Sequence, residues 1–290
     1  MKCLKMSLAC SSLVISTLSP AQLKAEDWIG LDDEPLTQLG YAYSRGQDDS
    51  DSHQLSVLHE LDDETDLSIQ YSYNKTATDT EDFAYDHFFA QLGWLSAGNL
   101  RLGINYQYQG KQQELEITNL GLLASYTLFP YIFSFEYRSG SLSAYTLSQI
   151  NSPLVPDQID SDMHSEHYSA NWFYQDYGFY INHQQYHYEK NLSALNNQAL
   201  LQALVKPGVL ANSGLLLNAS TSFGVTYYQD ERELSWLLAH NSYEVDNSQS
   251  DALQFEWREV MQQMNIIYTA AITDDANDNL SFGIGFEWDV

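Results

Sequence analysis

Apolar and polar residues alternate along most of this chain with a period of two. That is the spacing of a β-strand with one apolar and one polar face. Residues 67–74 show it cleanly, with Leu67, Ile69, Tyr71 and Tyr73 on one side and Ser68, Gln70, Ser72 and Asn74 on the other. Residues 101–108 repeat it, with Leu102, Ile104, Tyr106 and Tyr108 against Arg101, Gly103, Asn105 and Gln107. Residues 131–138 do so again, setting Tyr131, Phe133, Phe135 and Tyr137 against Ile132, Ser134, Glu136 and Arg138. The same reading predicts strands over 38–45, 53–61, 84–95, 115–128, 167–174, 179–188, 215–228, 233–242, 251–258, 265–272 and 280–290. That makes fourteen strands, with twelve as the alternative count.

The lengths of the connections are informative. Taken in order, the even-numbered ones (62–66, 96–99, 129–130, 175–178, 230–232 and 259–264) are all short. The two longest, 139–166 and 189–214, are both odd-numbered. Short turns at one end and long loops at the other characterise antiparallel barrels that span a membrane. An alternating strand in lipid also needs a closed sheet. An open edge would leave unpaired backbone N–H and C=O groups costing several kcal/mol each, on the order of 2–7. No stretch beyond residue 25 approaches 18 consecutive apolar residues, so no helical span is expected.

The two ends of the chain point the same way. Lys2 and Lys5 precede a mostly apolar stretch over 6–18, as in a secretory signal peptide, and Leu23-Lys24-Ala25 is an imperfect small-residue cleavage site. We therefore expect residues 1–25 to be a signal peptide, 26–37 a short periplasmic segment and 38–290 the barrel. Leu280, Phe282, Ile284, Phe286, Trp288 and Val290 alternate with Ser281, Gly283, Gly285, Glu287 and Asp289. On Ser281, Gly283, Phe286 and Trp288 this stretch resembles the C-terminal assembly signal of Gram-negative outer-membrane β-barrels, displaced by two residues from the usual terminal Phe. The resemblance implies export to the outer membrane, insertion by the barrel assembly machinery, and contact with membrane lipid and lipopolysaccharide.

Composition narrows the chemistry. Both cysteines, Cys3 and Cys10, lie in the expected signal peptide, so the remainder would have neither disulfide nor thiolate chemistry. Removing residues 1–25 also removes Lys2, Lys5 and Lys24. Nine Lys and Arg would then face 39 Asp and Glu, a net charge of −30 that makes nucleic acid a poor partner. The acids cluster at 48–51, 62–66, 79–82 and 274–278, between alternating segments, where solvated turns belong. None has the ligand spacing of a calcium loop, and no metal or cofactor is expected. The 21 Tyr, 6 Trp and 12 Phe suit the aromatic girdles of a membrane barrel.

Candidate chemistry is sparse. His167, Ser169 and Asn171 share one strand face, and His167-Tyr168-Ser169 resembles the His and Ser pair of outer-membrane phospholipases. No wider motif surrounds it. His164 and His167 bracket Ser165 and Glu166 at an expected loop-to-strand junction. His183 and His187 are four apart, about 13 Å along a strand, too far to share one ion. Residues 191–205 have near-helical apolar spacing, stopped by Pro207-Gly208, and could form a short loop helix at the mouth or on the rim. The charged residues on polar strand faces are more telling: Glu136 with Arg138, Glu256 with Arg258, and also Arg101 and Glu287. An Arg facing lipid costs about 2–4 kcal/mol at the midplane, so these side chains are expected to point inward.

The sequence thus predicts an all-β, up-and-down antiparallel transmembrane barrel, similar in size and strand count to small monomeric fourteen-stranded porins. The similarity implies passive diffusion of small hydrophilic solutes, and the acidic surplus predicts a preference for cations or neutral solutes. Arg101, Asn105, Glu136, Arg138, Glu256, Arg258 and Glu287 are the candidate pore-lining residues, and a monomer is favoured. The alternatives are a plugged surface barrel acting as an adhesin, receptor or structural protein, and an outer-membrane hydrolase using His167 and Ser169.

Overall fold

A computed structural model describes residues 37–46, 50–62, 64–77, 82–111, 115–145, 158–189, 216–229, 231–243, 249–261, 264–274 and 279–290. The expected signal peptide and the expected helix at 191–205 fall outside these residues.

Fourteen strands form one sheet: β1 (Thr37–Gly46), β2 (Asp51–Asp62), β3 (Thr65–Ala77), β4 (Asp82–Ala97), β5 (Leu100–Lys111), β6 (Leu115–Leu128), β7 (Tyr131–Tyr145), β8 (Gln158–Tyr174), β9 (Tyr177–Tyr188), β10 (Leu217–Gln229), β11 (Arg232–Tyr243), β12 (Gln249–Val260), β13 (Met264–Asp274) and β14 (Asn279–Asp289). Each pairs antiparallel with its sequence neighbours, and β1 pairs with β14, closing the barrel. Closure gives every strand two hydrogen-bonding partners and leaves no sheet edge, the condition a β-structure must meet in lipid. The alternative count of twelve strands does not hold.

All fourteen strands lie where the alternation places them; several run a few residues further, and two are far longer than expected. β7 continues from Arg138 to Tyr145, and β8 begins at Gln158. His164 and His167 are therefore inside β8 and not at a loop-to-strand junction. The extension was hidden because its outward positions are polar: Ser139, Ser141 and Ser143 on β7, and Asp160, Asp162 and His164 on β8, paired in register. Backbone pairing continues there while the alternation of apolar and polar residues stops. Side chains continue the ladder, with Ser143 Oγ donating to Asp160 Oδ1 at 2.7 Å and the Thr118 and Ser141 hydroxyls 3.1 Å apart.

The register separates the two faces. Outward rows cross several strands as unbroken apolar sets, such as Ala170, Ile181, Phe223, Leu238, Leu253 and Ile272 from β8 to β13. Their members are exposed, Phe223 by 48% and Leu238 by 56%, as a face turned toward lipid must be. Aromatic rings pack at the short-turn end of this wall. Trp172 stacks on Phe179 at 5.2 Å, and Tyr177 contacts Tyr227 at 5.1 Å. The inward face carries the buried polar residues, among them Ser72, Gln91, Asn105, Glu136, Thr226, Glu233 and Arg258. This is the reverse of a soluble protein, with polar groups inside and apolar groups outside.

Candidate functional site

The charged residues expected from sequence fall at three places on the inward face. At mid-height on β4, β5, β7 and β8, Arg138 is the centre of a network. Its Nε and Nη2 donate to the two oxygens of Glu136, the second at 2.9 Å. Its Nη1 donates to Gln107 Oε1 at 2.8 Å. Gln107 Nε2 lies 3.1 Å from His87 Nε2, and the guanidinium carbon lies 5.8 Å from the Phe89 ring centroid. Glu136 also accepts from Asn105 Nδ2 at 2.6 Å and faces His167 Nδ1 at 3.6 Å. The register accounts for these contacts, since Glu136 stands opposite His167 and Arg138 opposite Gly121. Gly121, with no side chain, leaves a gap that Asn105 and Arg138 fill from either side.

A second cluster lies at the short-turn end of β11, β12 and β14. Arg258 Nη1 donates to Glu287 Oε2 at 3.1 Å. Its Nε stands 3.7 Å from Glu233 Oε2, and its Nη2 3.8 Å from Glu256 Oε1. Asn265 Nδ2 reaches the same Glu287 oxygen at 3.5 Å. Three carboxylates thus surround one guanidinium, whose side chain is only 6% exposed. Beside the cluster, the ring of Tyr180 occupies the space a side chain at Gly224 would need. Arg101 stands apart from both clusters, paired with Asp66 near the short-turn ends of β5 and β3.

All seven residues proposed from sequence lie on the inward face. Asn105, Glu136 and Arg138 come together, and so do Glu256, Arg258 and Glu287, while Arg101 belongs to a separate pair. Alternation alone did not reveal the uncharged partners Gln107, His87 and Phe89, nor Glu233. Glu233 is the register partner of Arg258 in the β11–β12 pair, at the end far from the connection between the two strands, and a hairpin register drawn on the sequence would have found it. His167 and Ser169 are two apart on the inward face of β8, with Ser169 opposite Ser134 and Asn182.

The net charges differ between these places. Arg138 with Glu136 is a balanced pair, whereas Asp66, the partner of Arg101, has a second acid, Glu60, as its register neighbour. The Arg258 cluster has three acids to one base and is net negative when its carboxylates are ionised.

No protein-family model matches the sequence, and no curated protein matches it. Among solved structures, the chain is similar to the CymD monoaromatic hydrocarbon channel, with a TM-score of 0.57 and 9% identity over 94% of this chain and 91% of that one. It also aligns with the NanC porin (TM-score 0.48, 9% identity, 87% of this chain and all of that one). The KdgM porin aligns at TM-score 0.44 and 5% identity, over 87% and 98%. At such identities the likeness is one of fold, a closed antiparallel β-barrel.

Proposed function

We propose that this protein is an outer-membrane channel for passive diffusion of small hydrophilic solutes, with a preference for cations or neutral solutes. The observation that carries this reading is the inward-facing, net-negative cluster of Glu233, Glu256 and Glu287 around Arg258. Charged side chains lining a wet lumen set ion preference through the local field, and an acidic excess at one mouth favours cations. At fourteen strands a barrel has room for a channel unless loops fill it. The lipid-facing apolar rows and the inverted polar interior support placement in a bilayer, and the fold supports the outer membrane.

A second reading has an observation of its own. At the long-loop end, the inward-facing Leu115, Ile117, Leu142, Ala144 and Met163 are buried, with exposures of 0–4%. Apolar inward residues so well covered favour a barrel closed at its outer end that binds partners through its surface. Single-channel recording in a planar bilayer under a salt gradient separates the two. Steady conductance with a reversal potential on the cation side supports the channel. A folded, heat-modifiable barrel that passes no current overturns the channel and leaves the surface-binding barrel.

A further inference from the structure

Six of the eight histidines have no place in the inward charge network, and two of these six stand directly opposite each other. His164 on β8 and His187 on β9 are register partners in the antiparallel pair. Their rings stack at 4.7 Å between centroids with planes 26° apart. Tyr137 stacks on the far side of His164 at 6.0 Å, so that ring is held between two others. Both histidines are exposed and outward-facing. They lie beyond the apolar rows, whose last members on these strands are Tyr168 and Ile181, and are therefore open to the aqueous side at the long-loop end.

We propose that His164 and His187 form a two-histidine binding site for a borderline transition-metal ion, with copper(II) preferred over nickel(II) and zinc(II). Directly opposed residues on antiparallel strands have Cβ atoms about 4.5–5.5 Å apart, which places two imidazoles side by side. With metal–nitrogen bonds of about 2.0–2.1 Å, two nitrogens on one ion lie about 3 Å apart, so the two side chains must turn out of the stacked arrangement for their lone pairs to converge on it. Imidazole suits copper, nickel and zinc, and copper(II) stands highest in the affinity order for such donors. The described residues contain no group of three or more His, Cys, Asp or Glu placed to share an ion, so solvent completes the coordination.

The surroundings attract cations. One row toward the bilayer stands Glu166, whose Oε2 accepts from Tyr168 at 2.6 Å. One row outward stand Asp162 and Glu189, joined by a backbone hydrogen bond of 2.9 Å. These carboxylates raise the local cation concentration while the imidazoles select the metal. A bound ion would tie the outer ends of β8 and β9, the two strands that flank the long loops. None of this depends on whether the lumen conducts.

The test uses the refolded full chain in detergent with excess magnesium to occupy carboxylates, titrated with copper(II) by calorimetry. Electron paramagnetic resonance counts the nitrogen ligands. The site predicts one copper per barrel with two nitrogen ligands. His164→Ala and His187→Ala should each lower the affinity by more than the about 10- to 100-fold typical of losing a mere supporting partner. His183→Ala removes an outward histidine that lies 2.8 Å from Thr221 Oγ1, and should leave binding unchanged. Retention of the same affinity and nitrogen count in the double variant would overturn the proposal, as would a folded wild-type barrel that takes up no copper.

Discussion

Arg138 and Glu136, two residues apart on the inward face of β7, neutralise each other within a single strand, the guanidinium meeting both carboxylate oxygens. The consequence is a test with opposite signs. Arg138→Ala leaves the Glu136 charge with only Asn105 and His167 beside it, so the reversal potential should move toward the cation limit. Glu136→Gln leaves Arg138 uncompensated and should move it the other way. Breaking a buried pair costs about 3–5 kcal/mol, so each variant must first be shown to fold, by heat-modifiable migration. If both potentials move in the same direction, or neither moves, the network does not face the ion path.

The Arg258 cluster offers a separate prediction. Glu256→Gln and Glu287→Gln each remove one negative charge and leave Arg258 with partners. Cation preference should fall in each and fall further in the double variant, with the barrel still folded. Arg258→Ala does the opposite to stability. It leaves Glu233, Glu256 and Glu287 facing one another, and the urea midpoint should drop by the equivalent of about 3–5 kcal/mol. Reversal potentials in a salt gradient read the first prediction, and urea unfolding from lipid vesicles reads the second.

The fold was legible in the sequence because lipid enforces a strict rule. Each outward position must be apolar over the bilayer thickness, so Leu102, Ile104, Tyr106 and Tyr108 mark a strand without reference to any other part of the chain. Legibility stops where lipid stops. Ser139, Ser141 and Ser143 face outward above the apolar rows, so the outer end of β7 shows no alternation although it pairs with β8 throughout. The site was half legible for a related reason. Alternation tells which residues point inward, hence Glu136, Arg138 and Arg258, but contacts such as Arg138 with Gln107, or His164 with His187, depend on register between strands. Hairpin arithmetic could have supplied the second. A turn at Gln175 and Asp176 places residue 164 opposite residue 187.

The assignment of faces is itself testable on β12. Leu253 points outward, 45% exposed, between Leu238 and Ile272. Gln254 is the next residue and points inward, opposite Leu237 and Ala271. Leu253→Arg should cost about 2–4 kcal/mol if it lies near the midplane. Gln254→Arg, whose charge enters the lumen, should cost far less while shifting the reversal potential toward anions. Urea unfolding in vesicles decides. A larger cost at Gln254 than at Leu253 would mean that the inside and outside of the barrel have been exchanged.

The last strand makes a prediction about closure. Gly283 and Gly285 both lie on β14, two apart, between β13 and β1. A Cβ at Gly283 would meet the backbone oxygen of Tyr43 at 2.9 Å and Thr269 Oγ1 at 2.5 Å. The side chain can turn away, but the β1 backbone cannot move without loosening the seam. At Gly285 the nearest atom would be Ala42 Cβ at 3.3 Å, followed by Tyr41 O at 3.4 Å, contacts that a small adjustment relieves. Gly283→Ala should therefore cost about 1–3 kcal/mol, the usual range for overpacking. Gly285→Ala should be near neutral, because the chain entropy it removes from the unfolded state is worth about 0.4–1 kcal/mol in its favour. Gly283 is also one of the positions expected from sequence to form a C-terminal assembly signal, so a loss of folded yield in cells alone would be ambiguous. Refolding the purified chain into vesicles, without assembly machinery, isolates the steric effect. If the two alanine variants refold and unfold alike there, the requirement for glycine at 283 belongs to recognition during assembly and not to the β1–β14 seam.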